Sequence, residues 1–161
     1  MFDHEKKLPD LVLILDRLRS AHNTGNIFRI AEALGAGVVP CGYTPCPPHP
    51  KLEKTAMGTD KTVPWKHFET SCEAVEYFRE QGYTVLAAEP GGPEAWEMDF
   101  SLPLALVFGN EALGVSPEAL EKADGIVSLA MHGSKASVNV GNAAAAITYA
   151  VDAKLRNKMK M

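Results

Sequence analysis

Apolar residues recur along this chain in two rhythms. Leu11-Val-Leu-Ile-Leu15, Thr84-Val-Leu-Ala-Ala88 and Leu104-Ala-Leu-Val-Phe108 are almost continuously apolar, as strands are when both faces of their sheet are covered. Gly37-Val-Val-Pro-Cys-Gly-Tyr43 and Gly125-Ile-Val-Ser-Leu129 predict two more strands. Pro40 places the former at an edge or bulge, because proline has no amide to give to a ladder. Thr62-Val-Pro-Trp65 predicts a short extended segment, in which Pro64 argues against a central strand.

Between these runs the apolar spacing becomes helical. Asn23-Thr-Gly-Asn is expected to open a helix on which Ile27, Ile30, Ala31 and Leu34 share one face, with Gly35 and Gly37 as the stop. Lys51 to Ala56 predicts a short helix after the proline-rich loop Thr44 to Pro50. Ser71 is expected to cap a helix carrying Cys72, Val75 and Phe78, ended by Gln81-Gly82. Ser116-Pro117-Glu118 starts another, and Val140, Ala144, Ile147 and Val151 line one side of the last. This alternation predicts an α/β domain with a mostly parallel sheet of about five or six strands and helices on both faces. Ligands of such sheets sit beyond the carboxyl ends of the strands. The turns there are Ser20 to Asn26, Glu89 to Gly92, Gly109 to Gly114 and Ala130 to Ser137.

Length and composition add that the 161 residues, 46% hydrophobic, suit a single domain over the whole span, with no linker in view. No uncharged apolar run reaches the roughly 18 residues of a membrane span, and the opening Met-Phe-Asp-His-Glu-Lys-Lys lacks the apolar segment of a signal peptide. A cytoplasmic protein without membrane contact is expected. Three cysteines point to free thiols rather than a disulfide framework. The net charge of -4 does not suggest a polyanionic partner. Lys51, Lys54, Lys61 and Lys66, and a tail of Lys154, Arg156, Lys158 and Lys160, are nevertheless local basic groupings. Such runs are commonly solvated faces, yet phosphate attraction is local and an acidic total does not oppose it.

Candidate chemistry concentrates in residues 129 to 147. There a loop bearing Ser134, Ser137, Asn139 and Asn142 runs into a helix of alanine and glycine. Small residues let a neighbouring backbone or ligand approach, and the polar groups need partners, so a ligand or subunit contact is expected. Neither a dinucleotide fingerprint nor a P-loop occurs. Ser134 and Ser137 lack the Gly-x-Ser-x-Gly elbow of a hydrolase. Cys41, Cys46 and His49 lack a fourth zinc ligand at sensible spacing, so no metal is expected.

Three motifs then stand in one order: Asn23-Thr-Gly-Asn-Ile-Phe-Arg29, Leu106-Val-Phe-Gly-Asn-Glu-Ala-Leu-Gly114, and Met131 to Ala143 around Ser137-Val-Asn139. Together they resemble the SpoU/TrmH-type branch of the SPOUT RNA 2'-O-ribose methyltransferases, over Leu11 to Val151. The resemblance implies a C-terminal deep trefoil knot, a feature that general chain topology disfavours. It implies S-adenosylmethionine as methyl donor, with S-adenosylhomocysteine as product. The donor would be held by Ala88, Glu89, Gly109, Leu129, Met131, Ser137 and Val138. The catalytic set it implies is Arg29, Asn23, Glu111, Ser137 and Asn139. Arg29 would activate the ribose hydroxyl, directly or by positioning a phosphate, because a guanidinium is itself a poor base. Asn23 and Asn139 would orient the substrate or Arg29, Ser137 would fix the loop, Glu111 would anchor one of these groups, and His132 would line the donor loop without catalysing.

Taken one at a time these residues have plainer roles: Asn23 and Asn139 as helix caps, Glu111 as a loop carboxylate bonded to backbone amides. Ala130 and Val138 stand where the family often has proline and leucine. The implied partners are RNA, tRNA foremost with ribosomal RNA as the alternative, and a second copy of the chain packed through the C-terminal helix, without a separate RNA-binding domain. A knotted RNA-binding protein without turnover and a small-molecule methyltransferase are the competing readings.

Overall fold

Six consecutive buried residues, Leu11–Asp16, form strand β1 at the heart of the sheet. The structure is a computed structural model, described here over residues 9–134 and 138–160. The other strands are β2 (Gly37–Cys41), β3 (Thr84–Ala88), β4 (Leu104–Gly109) and β5 (Gly125–Val127). The helices are α1 (Ala21–Leu34), α2 (Pro50–Ala56), α3 (Ser71–Glu80), α4 (Pro117–Lys122) and α5 (Val140–Met159). The strands lie in the order β2-β1-β4-β3-β5, and every pairing is parallel. The predicted architecture is thus met with five strands.

Alternation along β1 divides the core. Leu11, Leu13 and Leu15 join Ile27 and Phe28 of α1, Leu52 of α2, and Val140, Ala144, Ile147 and Val151 of α5 on one face. Val12 and Ile14 join Ala74, Val75 and Phe78 of α3 and Ala119 of α4 on the other. All strands point the same way, so their carboxyl ends gather at one rim of the sheet.

Several boundaries differ from the sequence reading. The cap of α1 is Ser20, whose hydroxyl accepts the Asn23 amide at 3.0 Å. The helix therefore begins before Asn23, which is its third residue and has its side chain free for other work. Thr70, not Ser71, caps α3. β2 stops at Cys41 and β5 at Val127, short of Tyr43 and Leu129. The segment around Trp65 runs along the outer edge of β2: Val38 donates to the Pro64 carbonyl, Lys66 to Val38, Phe68 to Pro40, and Gly42 to Phe68. Pro40 falls between the two outward amides of Val38 and Gly42, where a missing donor costs least. The predicted turn Ala130 to Ser137 runs out of the described residues at Lys135, so Ser137 lies outside them.

Candidate functional site

A cavity of about 380 Å³ opens at the carboxyl ends of β3, β4 and β5, within the range of small-ligand pockets, roughly 300 to 1,000 Å³. Ala88, Glu89, Gly109, Leu129, Met131 and Val138 all line it, as does Glu111. The sheet explains the convergence, since Ala88 and Gly109 are the last residues of β3 and β4. Val140, Ala143 and Ile147 of α5 close one wall. Their spacing of three and four residues puts them on one helix stripe, and alanine at 143 keeps that wall thin.

The loop after β4 depends on two glycines. A Cβ on Gly109 would lie 2.2 Å from the Gly114 carbonyl carbon, so only glycine lets the Asn110 to Gly114 turn fold back onto the strand end. Gly114 has φ 73°, a left-handed conformation, and the space over it belongs to the Glu89 carboxylate, 3.1 Å from where a Cβ would stand. Burial raises the Glu89 carboxyl above its ordinary value, the Val115 amide offsets part of the rise, and the nearby Asp16 charge adds to it. An acidic group in a largely apolar cleft suits the cationic end of a ligand.

Glu111 ties this loop to the other end of the chain. Its two carboxylate oxygens accept the amides of Arg19 at 2.9 Å and Ser20 at 3.0 Å, and Asn23 Nδ2 donates to Oε2 at 3.4 Å. Asn139 Nδ2 donates in turn to Asn23 Oδ1 at 3.3 Å, while Asn139 Oδ1 caps α5 by accepting the amides of Gly141 and Asn142. A Cβ on Gly141 would press on both asparagine oxygens, at 3.1 and 3.4 Å, so this glycine makes room for the pair. The plain roles of Glu111 and Asn139 are therefore real, and they coexist with a relay, Glu111 to Asn23 to Asn139, that joins the three sequence motifs. Burial of Glu111 favours its neutral form, but the amides of Arg19, Glu111 itself and Ser20, with the Asn23 side chain, prevail and hold the carboxyl below its ordinary value of 4.5.

Arg29 stands apart. It is exposed on α1 and is not among the residues lining the cavity. Six positions beyond Asn23, it lies about 9 Å further along the helix and roughly 240° around it. Among the described residues its guanidinium has no hydrogen bond or ion pair. His132 is likewise exposed and does not line the cavity. Cys41, Cys46 and His49 do not form a metal cluster, and no other group of three such ligands is gathered among the described residues. His49 instead caps α2.

Two supporting residues escaped the sequence reading. Asp16, 1% exposed, accepts the Ser116 amide through Oδ2 at 2.7 Å and pairs through Oδ1 with Arg17 Nε at 2.9 Å. Arg17 adopts φ 57°, and its carbonyl accepts Asn110 Nδ2 at 2.7 Å. Together they pin the loop after β4 to the end of β1. The one hint in the sequence is an aspartate directly ending an apolar run. Asn110 also folds its own turn, its Oδ1 accepting the amides of Ala112 and Leu113.

Comparison with known proteins agrees with this geometry. Residues 10–149 match the profile of the SpoU rRNA Methylase family. The chain is 33% identical over 150 residues to a Thermus thermophilus tRNA (guanosine(18)-2'-O)-methyltransferase, covering 89% of this chain and 75% of that protein. The Escherichia coli enzyme of the same name is 29% identical over 154 residues, covering 94% and 67%. Among solved structures, the SpoU methyltransferase AviRb from Streptomyces viridochromogenes, in complex with AdoMet, superposes with a TM-score of 0.82 at 30% identity, covering 96% of this chain and 60% of that one.

Proposed function

Since the chain belongs to the SpoU methylase family, with its knotted α/β fold, we propose that it transfers a methyl group from S-adenosylmethionine to a ribose 2'-hydroxyl of RNA, with tRNA as substrate. The observation that carries this reading is the relay of Glu111, Asn23 and Asn139, which joins three motifs from distant parts of the chain and of which Glu111 also lines the cavity. The names of the Thermus and Escherichia relatives support tRNA. The family description names rRNA, so ribosomal RNA is assayed beside it.

The donor fits the cavity by its chemistry. Leu129, Met131, Val138 and Ile147 offer apolar walls to an adenine ring, and Glu89 offers a carboxylate to the cationic end. When bound, S-adenosylmethionine supplies an electrophilic methyl on a sulfonium. The protein has to hold the ribose in line with that methyl and take up the hydroxyl proton, and alignment accounts for much of the gain in rate. Glu111, fixed by three N–H donors, holds Asn23 in place, and Asn23 in turn holds Asn139 at the start of α5, with neither asparagine itself lining the cavity. Ser137, outside the described residues, is a further member of the catalytic set in this reading.

Arg29 on the exposed side of α1 serves the cavity of a second subunit in a homodimer packed through α5. There it positions a phosphate bidentately or polarises the hydroxyl. Mixed dimers test this. One subunit carries Arg29→Ala and the other Gly109→Val. If Arg29 acts across the interface, the intact cavity of the first subunit receives Arg29 from the second, and activity returns to about half; silence of the mixture defeats the trans assignment. The reaction itself is tested with methyl-labelled donor and tRNA lacking its modifications. Label in dinucleotides that resist alkali marks a blocked 2'-hydroxyl. Label in bases, or binding of donor and RNA without product, overturns the reading.

A further inference from the structure

A second cleft, of about 610 Å³, lies between the start of α1 and α2 and belongs to none of the residues assigned to donor binding or catalysis. Arg19, His22, His49, Lys51 and Lys54 line it with Ser20 and Thr55, and no described lining residue is acidic. Arg19, Lys51 and Lys54 are exposed, and among the described residues none of them is in an ion pair. These charges are therefore not neutralised by neighbours.

Three features make the cleft more than a basic patch. His49 uses Nδ1 to accept the amides of Lys51 and Leu52, at 3.2 and 3.4 Å. In the neutral ring the proton must then sit on Nε2, which makes the imidazole a donor. Ala21 and His22, the first two residues of α1, also line the cleft, and their amides have no acceptor within the helix. Finally, the cleft stands back to back with the donor cavity. The strip Arg19 to Ser20 that walls it gives its amides to Glu111, which lines the donor cavity, across 2.9 and 3.0 Å. The Glu111 carboxylate oxygens are already engaged by three N–H donors. Close packing holds the walls: a Cβ on Gly25 of α1 would stand 1.9 Å from Thr55 Oγ1 of α2.

We propose that this cleft binds a backbone phosphate of the RNA strand, beside the nucleotide whose ribose faces the donor cavity. The assignment rests on the RNA methyltransferase reading above. Two lysines, an arginine and a histidine donor around a concave surface suit a phosphodiester, and contacts to phosphate carry no sequence information. The site therefore sets the register of the strand and leaves sequence to other contacts.

The test is the salt dependence of binding for an unmodified tRNA transcript, with the double variant Lys51→Gln and Lys54→Gln. Losing the one phosphate contact makes the drop in affinity between about 50 and 200 mM salt smaller by roughly threefold. The KM for RNA rises, while kcat and the affinity for S-adenosylmethionine stay as in the wild type. His49→Asn keeps a cap on α2 but removes the ring donor, and weakens RNA binding in the same way. Lys122→Gln on α4, on the opposite face of the sheet, is the control for unit charge and leaves the salt slope close to that of the wild type. An unchanged slope and KM in the double variant, while the wild type still methylates RNA, overturns the cleft and spares the activity. An equal effect of Lys122→Gln also overturns it. A wild-type protein that methylates no RNA overturns both.

Discussion

Removing the Asn23 side chain separates Glu111 from Asn139 and takes one donor from the Glu111 carboxylate. That donor helps to hold the Glu111 carboxyl low, so in Asn23→Ala its titration moves up toward the ordinary range. If the carboxylate form is the working one, the acid limb of the pH profile for methyl transfer moves up with it. The same group has a signature in stability. A carboxyl whose pKa falls on folding contributes stability that is present above its unfolded value, about 4.3, and is lost as pH falls through the folded value. Thermal unfolding of Glu111→Gln is thus expected to show a shallower loss on acidification than the wild type. Gly109→Ala acts through space alone. Its Cβ would need the Gly114 backbone to move from 2.2 Å, and calorimetric titration should find donor affinity lost while the circular dichroism of the sheet and helices persists.

At the scale of elements, α1 and α2 approach closely because residue 25 is glycine. Gly25→Ala drives a methyl into Thr55 Oγ1 at 1.9 Å. Overpacking of this kind costs about 1 to 3 kcal/mol, to be read as a lower urea midpoint. Adding Thr55→Ala recovers only part of the loss, because the Ala56 amide nitrogen still stands 2.9 Å away. Elements are also where the sequence was most legible. β1, β3 and β4 could be read from their apolar runs because a strand covered on both faces leaves no place for polar side chains. The start of α1 was misplaced because Asn23 looks like a cap when read locally. What decides the matter is Ser20, whose hydroxyl takes the capping bond, and the hydrogen bond of Asn23 to Glu111, a residue 88 positions away. Six of the seven positions that the family resemblance implies for the donor come together around one cavity, and the seventh, Ser137, lies outside the described residues. The bond of Asp16 to the Ser116 amide was not legible, because a clamp between a strand end and a loop 100 residues later leaves no local pattern.

For the whole molecule, five parallel strands demand crossovers, so most stabilising contacts join residues far apart in sequence. The outer edge of β2 is screened by the segment around Trp65, which limits edge-to-edge pairing between copies and leaves the helical faces for association. The relay adds a temporal meaning to this geometry. Asn23 leaves the ribosome early, Glu111 much later, and Asn139 only just ahead of α5. During synthesis the first two can meet, but the wall of the cavity formed by Val140, Ala143 and Ile147 is translated after the other residues that line it. A chain halted before α5 is thus expected to retain no S-adenosylmethionine on equilibrium dialysis, however well its sheet has formed. The hydrogen bond from Asn139 to Asn23 can form only after residues 116 positions apart have both been made, so the relay is a contact of the folded chain and of no shorter stretch of it.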